Sequence, residues 1–225
     1  MSDDSFIREV DEELRSERVQ DFWKKYGKAL IALAVFIVLA VAAYRFFDYY
    51  QQQQAAASGD AFMEAVRLTD SDKQAEALAA LQDLQSEAGP TYAALAKLRV
   101  ASELAKSGKV AEALAAYDEI AQDSATESNL QSFARLRAGL LLVDTGTVTE
   151  VEARVGPLSG PGHPYRATAR EALALAYYKA GDLDKSAGFF DQIIADEGAP
   201  GALKQRSRLM RELIASRGGP AVTSN

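Results

Sequence analysis

Two hydrophobic patterns divide this chain. From Asp60 onward, apolar residues recur at i, i+3, i+4 and i+7. Ala77, Leu78, Leu81 and Leu84 show it, as do Leu95, Leu98 and Leu104. That period predicts amphipathic helices and gives no sign of the alternation of a half-buried strand. Breakers arrive at Gly89-Pro90, Gly108, Gly146, the Gly156 to Pro164 cluster, Gly181 and Ala199-Pro200. The segments between them run to roughly 12 to 16 residues, a helical length. Ahead of Asp60 the pattern is continuous instead. Ala29 to Tyr44 is sixteen residues without a charge, closed by Lys28 and Arg45.

The uncharged run predicts a membrane span. A helix rises about 1.5 Å per residue, so the run reaches roughly 24 Å, against a hydrocarbon core of about 30 Å. The stems of Lys28 and Arg45 can snorkel across the difference. Phe46 and Phe47 extend the run, and Trp23, Tyr26, Tyr44, Tyr49 and Tyr50 sit where interfacial aromatics belong. Two other readings exist. Ala40-Val41-Ala42 fits the A-x-A site of a cleaved signal peptide, although the stretch before it is long and net negative. A buried core helix would leave the aromatic and cationic flanks without a role. Basic residues Arg8, Arg15, Arg18, Lys24, Lys25 and Lys28 precede the span, and after Arg45 the next is Arg67. That asymmetry predicts a cytoplasmic N-terminus, and in a bacterium a periplasmic C-terminal domain.

The helices repeat. A turn glycine, Gly108, is followed at +5 by Ala113, at +9 by Tyr117 and at +12 by Ile120. Gly181 is followed at the same offsets by Ser186, Phe190 and Ile193. Gly146 lies between them, and Asp72 takes the turn position of an earlier copy with Ala77, Leu81 and Leu84 behind it. The spacings of 36, 38 and 35 residues are near the period of about 34 of tetratricopeptide repeats. Seven residues before each turn stand Ala65, Ala101, Gly139 and Ala174, all small, as a close helix crossing needs. Four before stand Leu68, Leu104, Leu142 and Tyr177. In the third unit Val151 and Val155 replace the small and aromatic positions, and Gly156-Pro157 shortens the second helix.

A stack of hairpins needs a lid. Pro200 fits the first turn of a closing helix. Leu203, Met210, Leu213 and Ile214 give it one apolar stripe, and Lys204, Arg206, Arg208 and Arg211 a basic, solvated face open to a partner or to lipid headgroups. Gly218-Gly219-Pro220 should stop it and leave a disordered tail. At the other end, Ile7, Val10 and Leu14 predict an amphipathic helix over 3 to 26, capped at Ser5 and broken near Gly27. Gln51 to Ala57 continues the span as a stalk, with an interruption expected at Ser58-Gly59. The fold class is therefore all-α. The expected order is a charged segment over 1–27, a transmembrane helix over 28–47 and a stalk over 48–59. A repeat domain over 60–217 and a tail over 218–225 follow. The domain would hold about four hairpins (60–88, 91–123, 128–158, 164–197) and a cap at 200–217.

Charge and chemistry narrow the function. The chain of 225 residues has a formal net charge of −7. Its repeat domain is acidic and has no basic stripe, which argues against nucleic acid. It has no cysteine, which removes disulfides and thiolate chemistry. His163 is the single histidine; with Ser159 nearby it lacks the G-x-S-x-G context of a nucleophile. There is no HExxH, P-loop or dinucleotide fingerprint. No enzyme, cofactor, metal or small-molecule substrate is expected. Asp182 and Asp184 fall at a helix start, where Asp caps, and Asp118 and Glu119 point to different sides of a helix. Helical repeats bind protein segments, here client polypeptides, in a groove lined by first helices. Exposed positions such as Lys97, Arg135 and Arg170 are candidates to line it.

The order of motifs resembles a known family. Phe22-Trp23-Lys24-Lys25-Tyr26-Gly27-Lys28-Ala29-Leu30 enters the span, a glutamine-containing stalk follows it, and Thr91-Tyr92-Ala93-Ala94-Leu95-Ala96 opens a repeat. Glu171-Ala-Leu-Ala running to Gly181-Asp182 looks like a last repeat. This series is similar to that of the YfgM-like inner-membrane proteins, ancillary subunits of the bacterial Sec translocon, over nearly all of residues 1 to 215. The Gly160 to Pro164 loop and the C-terminal tail have no counterpart in that pattern. The resemblance implies a single-pass inner-membrane protein with periplasmic repeats. It would sit beside the SecYEG channel and work with a membrane-anchored periplasmic chaperone on secreted chains. An adaptor in another envelope assembly, for outer-membrane biogenesis or cell division, is the other reading of the same architecture.

Overall fold

The computed structural model describes residues 3–71 and 73–221, with side chains from residue 23 onward except at 29 and 30. The turn position Asp72 and the end of the tail, 222–225, lie outside the described residues. So do the side chains of Ser5, Ile7, Val10 and Leu14. Every described element is helical, and two units, Met1–Ala56 and Ala57–Asn225, are distinct. The first helix, α1 (Asp3–Asp70), contributes residues to both.

In the first unit the described part of the apolar window is exposed. One helix near the N-terminus is long and apolar enough to cross a membrane, and none of that window is buried within the protein. Phe36, Val38 and Leu39 are exposed on its surface. A core helix would hide them, so that reading falls. The break expected at Gly27 does not occur, and α1 starts ahead of Ser5 rather than at it. Trp23 lies over Gly27, and one helical glycine costs only about 1 kcal/mol against alanine, too little to break so long a helix.

The second unit is a row of antiparallel hairpins. The end of α1 packs against α2 (Gln74–Glu87) in an apolar cluster of Ala65, Leu81 and Leu84, and α3 (Pro90–Lys106) pairs with α4 (Val110–Gln122). Then α5 (Ser128–Leu142) pairs with α6 (Val148–Val155), and α7 (Arg166–Lys179) with α8 (Leu183–Ala195). The lid is α9 (Gly201–Ser216), packed on α8. Helix α1 also runs through Ser58-Gly59, where an interruption was expected. Gly59 serves packing instead, because a Cβ there would lie 2.8 Å from the Tyr92 hydroxyl.

Burial follows the repeat. Ala65, Ala101 and Ala174 are fully buried, as are Ala113, Tyr117 and Phe190 on the second helices. Gly139 is buried too, where a Cβ would collide with Cγ1 of Val155. Ser186 shows how close the helices run: its Oγ donates to the carbonyl of Ala174 at 2.8 Å. Each apolar cluster joins one hairpin to the next first helix. One spans Leu98, Tyr117, Ile120 and Ala138; another Leu136, Val155 and Leu173; a third Phe190, Ile193 and Ile214. That is the nearest-neighbour cohesion of a solenoid.

Two turns share one geometry. Gly108 and Gly181 take φ of 77° and 83°, the left-handed region glycine favours. The next amide bonds back five residues, Lys109 to Leu104 and Asp182 to Tyr177, each at 3.0 Å, closing Schellman motifs. The third turn departs from the expected copy. Gly146 has no positive φ; its amide donates to the Leu142 carbonyl at 2.7 Å. A Cβ there would meet Leu142 at 2.9 Å, so this glycine supplies space. A capping box of Thr147 and Glu150 then starts α6. The short α6 ends in a 3-10 turn, Gly156–Leu158, as Gly156-Pro157 foretold. Asp182 caps α8 by accepting the Lys185 amide.

The lid corrects several expectations. Pro200 is the N-cap of α9, one residue ahead of the expected first turn. Leu203 and Ile214 are buried, but Leu213 is 39% exposed and no part of the core. Arg211, expected on a solvated basic face, is buried. Its Nε donates to Asp191 at 2.7 Å, and its other nitrogens donate to the carbonyls of Pro220 and Ala221. The chain after α9 is therefore held as far as Ala221.

Candidate protein-binding groove

The first helices of the hairpins lie side by side, α3 beside α5 and α5 beside α7. Between them is a cavity of about 400 Å³. On α3 the lining residues are Leu95, Leu98, Arg99 and Ser102, and on α5 Asn129, Leu130, Phe133 and Arg137. Both sets recur at helical spacing and so present one face each. Phe62 of α1 and Tyr165, the residue before α7, add rings, and Tyr117 of α4 reaches it from behind. Phe133 and Tyr165 meet at 6.3 Å between ring centroids and Phe62 and Tyr92 at 6.4 Å, distances at which aromatic pairs attract.

Two arginines accompany these apolar side chains. Arg99 is engaged by Asp70 at 3.3 Å and Glu103 at 3.2 Å. The Glu103 oxygen lies off the N–H direction, which leaves the Arg99 Nε buried without a hydrogen bond. Arg137 is exposed, and among the described residues it has no hydrogen-bond or ion-pair partner. Its neighbour in sequence terms, Arg135, has one: Nη2 donates to the Ala121 carbonyl at 3.2 Å.

The structure places the three expected groove residues elsewhere. Lys97 pairs with Glu119 at 3.1 Å, across the hairpin of α3 and α4. Arg135 turns toward α4 in the same way. Arg170 was expected to be exposed and is buried, donating to the Ser159 carbonyl at 2.9 Å and approaching Asp196. The reason is angular. Lys97 is two residues from both Leu95 and Arg99, and Arg135 two from both Phe133 and Arg137; two residues turn a helix by about 200°. The groove cations are Arg99 and Arg137. The signal available in the sequence was that they share a helical face with leucines and a phenylalanine.

The remaining polar groups hold the domain together. Arg166 grips Asp196 with two hydrogen bonds, at 2.6 and 2.7 Å. These hold the Asp196 carboxyl below the usual carboxylate range, helped by the Gly198 amide and the charges of Arg166 and Arg170. The Ala125 amide and the Thr126 hydroxyl lower Asp123, and the Thr147 amide and hydroxyl lower Glu150. Asp118 accepts from Arg154 at 2.6 and 3.1 Å, tying α4 to α6, while its neighbour Glu119 faces α3. His163 Nδ1 accepts the Tyr165 amide at 3.1 Å, and Ser159 donates to the Gly156 carbonyl. Each thus serves its own loop.

The chain matches the family described as tetratricopeptide repeat-like domain over residues 20–186. It belongs to that family. The match takes in the apolar window of α1 together with the hairpins and ends within α8. No curated protein and no solved structure matches the chain. Tetratricopeptide repeat-like domains are in general protein-interaction scaffolds rather than enzymes, and this one is an all-helical scaffold of that kind; among the described residues one helix is long and apolar enough to span a membrane.

Proposed function

We propose that this protein is a membrane-anchored scaffold at the site of protein export, an ancillary subunit of the Sec translocon. Its repeats would stand in the periplasm, receive partner segments in the groove between α3 and α5, and assist a membrane-anchored chaperone as secreted chains emerge. The observation that carries the reading is the apolar groove of Leu95, Leu98, Leu130 and Phe133, open on the first-helix face. Apolar surface exposed in this way marks a binding site. Two further points support it. The family match joins the apolar window to the repeats as one unit, and the motif order from Phe22 to Asp182 resembles that of translocon-associated proteins.

The test is affinity purification from membranes in mild detergent, with partners identified by mass spectrometry. A control carries a foreign transmembrane helix in place of residues 28–47. The expected result is recovery of the SecYEG channel and a periplasmic chaperone, with the channel alone lost in the control. Recovery of an outer-membrane or division complex without the channel would overturn the translocon assignment and leave an adaptor of another envelope assembly.

A further inference from the structure

The groove also carries information about what fills it. We infer that its occupant is an acidic apolar segment of a partner protein, anchored by aliphatic or aromatic side chains and recognised through a side-chain carboxylate by Arg137. The inference rests on the scaffold reading above and names the chemistry of the partner.

Charge complementarity points to that occupant. The chain as a whole carries 32 acidic and 25 basic residues, yet the groove lining contains two arginines and no carboxylate. Arg99 is already balanced by Asp70 and Glu103, neither of which lines the groove. Arg137 is not balanced by any described residue. It stands one helical turn beyond Phe133 on the same face of α5. An apolar anchor seated against Leu130 and Phe133 would therefore bring a carboxylate one turn away on its own chain within reach of a planar, two-pronged donor. Because Arg137 is exposed, that pair stays open to screening by salt and acts mainly as selection against the opposite charge. A basic segment meets the same surface with no counter-charge and is rejected.

The experiment uses the full chain in detergent micelles and fluorescence anisotropy. Three short labelled peptides, acetylated and amidated so that only side chains carry charge, share leucine and phenylalanine at i and i+4. They differ in having Glu, Gln or Lys at the positions between. The Glu peptide should bind about tenfold or more tighter than the Lys peptide, and less tightly as salt rises. Arg137→Glu should reverse the order of the two, and Arg137→Lys should preserve it. Arg208→Glu, an exposed change on α9, should leave it alone. Equal binding of Glu and Lys peptides overturns the inference, as do indifference to Arg137→Glu and binding of no peptide. So does a concentration-dependent dimer abolished by Arg137→Glu, which would mean that a second copy fills the groove. If the Sec channel still co-purifies while the Glu peptide fails, the scaffold reading stands and the acidic occupant falls. Tight, Arg137-dependent binding without the channel keeps the acidic occupant and removes only the translocon assignment.

Discussion

At Gly139 the space for a side chain has already been taken. A methyl added there would overlap Cγ1 of Val155, which is fully buried and β-branched, so it cannot swing aside. Two effects compete in Gly139→Ala. Helix propensity in α5 favours alanine by about 1 kcal/mol, while overpacking a filled core costs about 1–3 kcal/mol. With backbone of α6 directly behind Val155, the steric cost should win, and we expect Gly139→Ala to lower stability by up to about 2 kcal/mol. Val155→Ala opens the same space, so the double variant should be more stable than the sum of the single changes predicts. Urea denaturation of the four proteins checks this; strict additivity would remove Val155 as the cause. Small residues at Ala65, Ala101, Gly139 and Ala174 were legible in the sequence because a repeat puts the same steric demand at the same place. The use of Gly59 and Gly146 was not. Both look like breakers, but their role depends on Tyr92 and on Leu142, and in Gly59 that neighbour belongs to another helix.

Among the helices, periodicity was the strongest guide and its failures have a common source. The hairpins, the shortened α6 and the lid all follow from apolar spacing and from Gly or Pro punctuation. The face each helix turns to the groove does not. In this stack a first helix packs on its own partner on one side and on the second helix of the preceding hairpin on another, so its apolar positions cover more than one face. Charged residues then become ambiguous. Lys97, Arg135 and Arg170 looked free and are tied to Glu119, Ala121 and Ser159; Arg211 looked solvated and clasps the end of the chain. The join between α7 and the loop after α8 is made chiefly by such a cation, Arg166, with Arg170 beside it, and gives an acid-sensitive element. The Arg166 hydrogen bonds and the Gly198 amide hold Asp196 below its ordinary value. A carboxyl depressed in the folded state adds stability above its unfolded value of about 3.9. That contribution is lost as pH falls through the folded value. We therefore expect the melting temperature to drop on acidification below about pH 4. Asp196→Asn should melt lower at neutral pH and lose part of that acid dependence. Asp123, Glu150 and Glu64, lowered by hydrogen bonds of their own, act in the same direction. Parallel melting curves across pH for the two proteins, followed by circular dichroism, would dismiss Asp196 as a contributor.

For the whole chain, the decisive arrangement is which side of a membrane each end occupies, and the composition makes it easy to measure. There is no native cysteine, so any thiol introduced is the one that reacts. Basic residues crowd the segment before Ala29, whereas Arg45 stands alone after the window until Arg67. Basic residues near a span are retained in the cytoplasm, and the acidic residues interleaved with them weigh little in that rule. The proposed topology puts the repeat domain outside, where the acidic segments we assign to the groove would have to be presented. Leu209 on α9 is 59% exposed and outside the groove lining, which makes Leu209→Cys a mild reporter for the domain. Ser16→Cys reports for the charged segment. In intact spheroplasts a membrane-impermeant maleimide should modify Leu209→Cys at once and Ser16→Cys only after permeabilisation. Labelling of Leu209→Cys alone, on a protein shortened by the mass of the first 42 residues, would identify cleavage after Ala42 instead. Labelling of Ser16→Cys first would invert the topology and put the repeats, with their groove, on the cytoplasmic side.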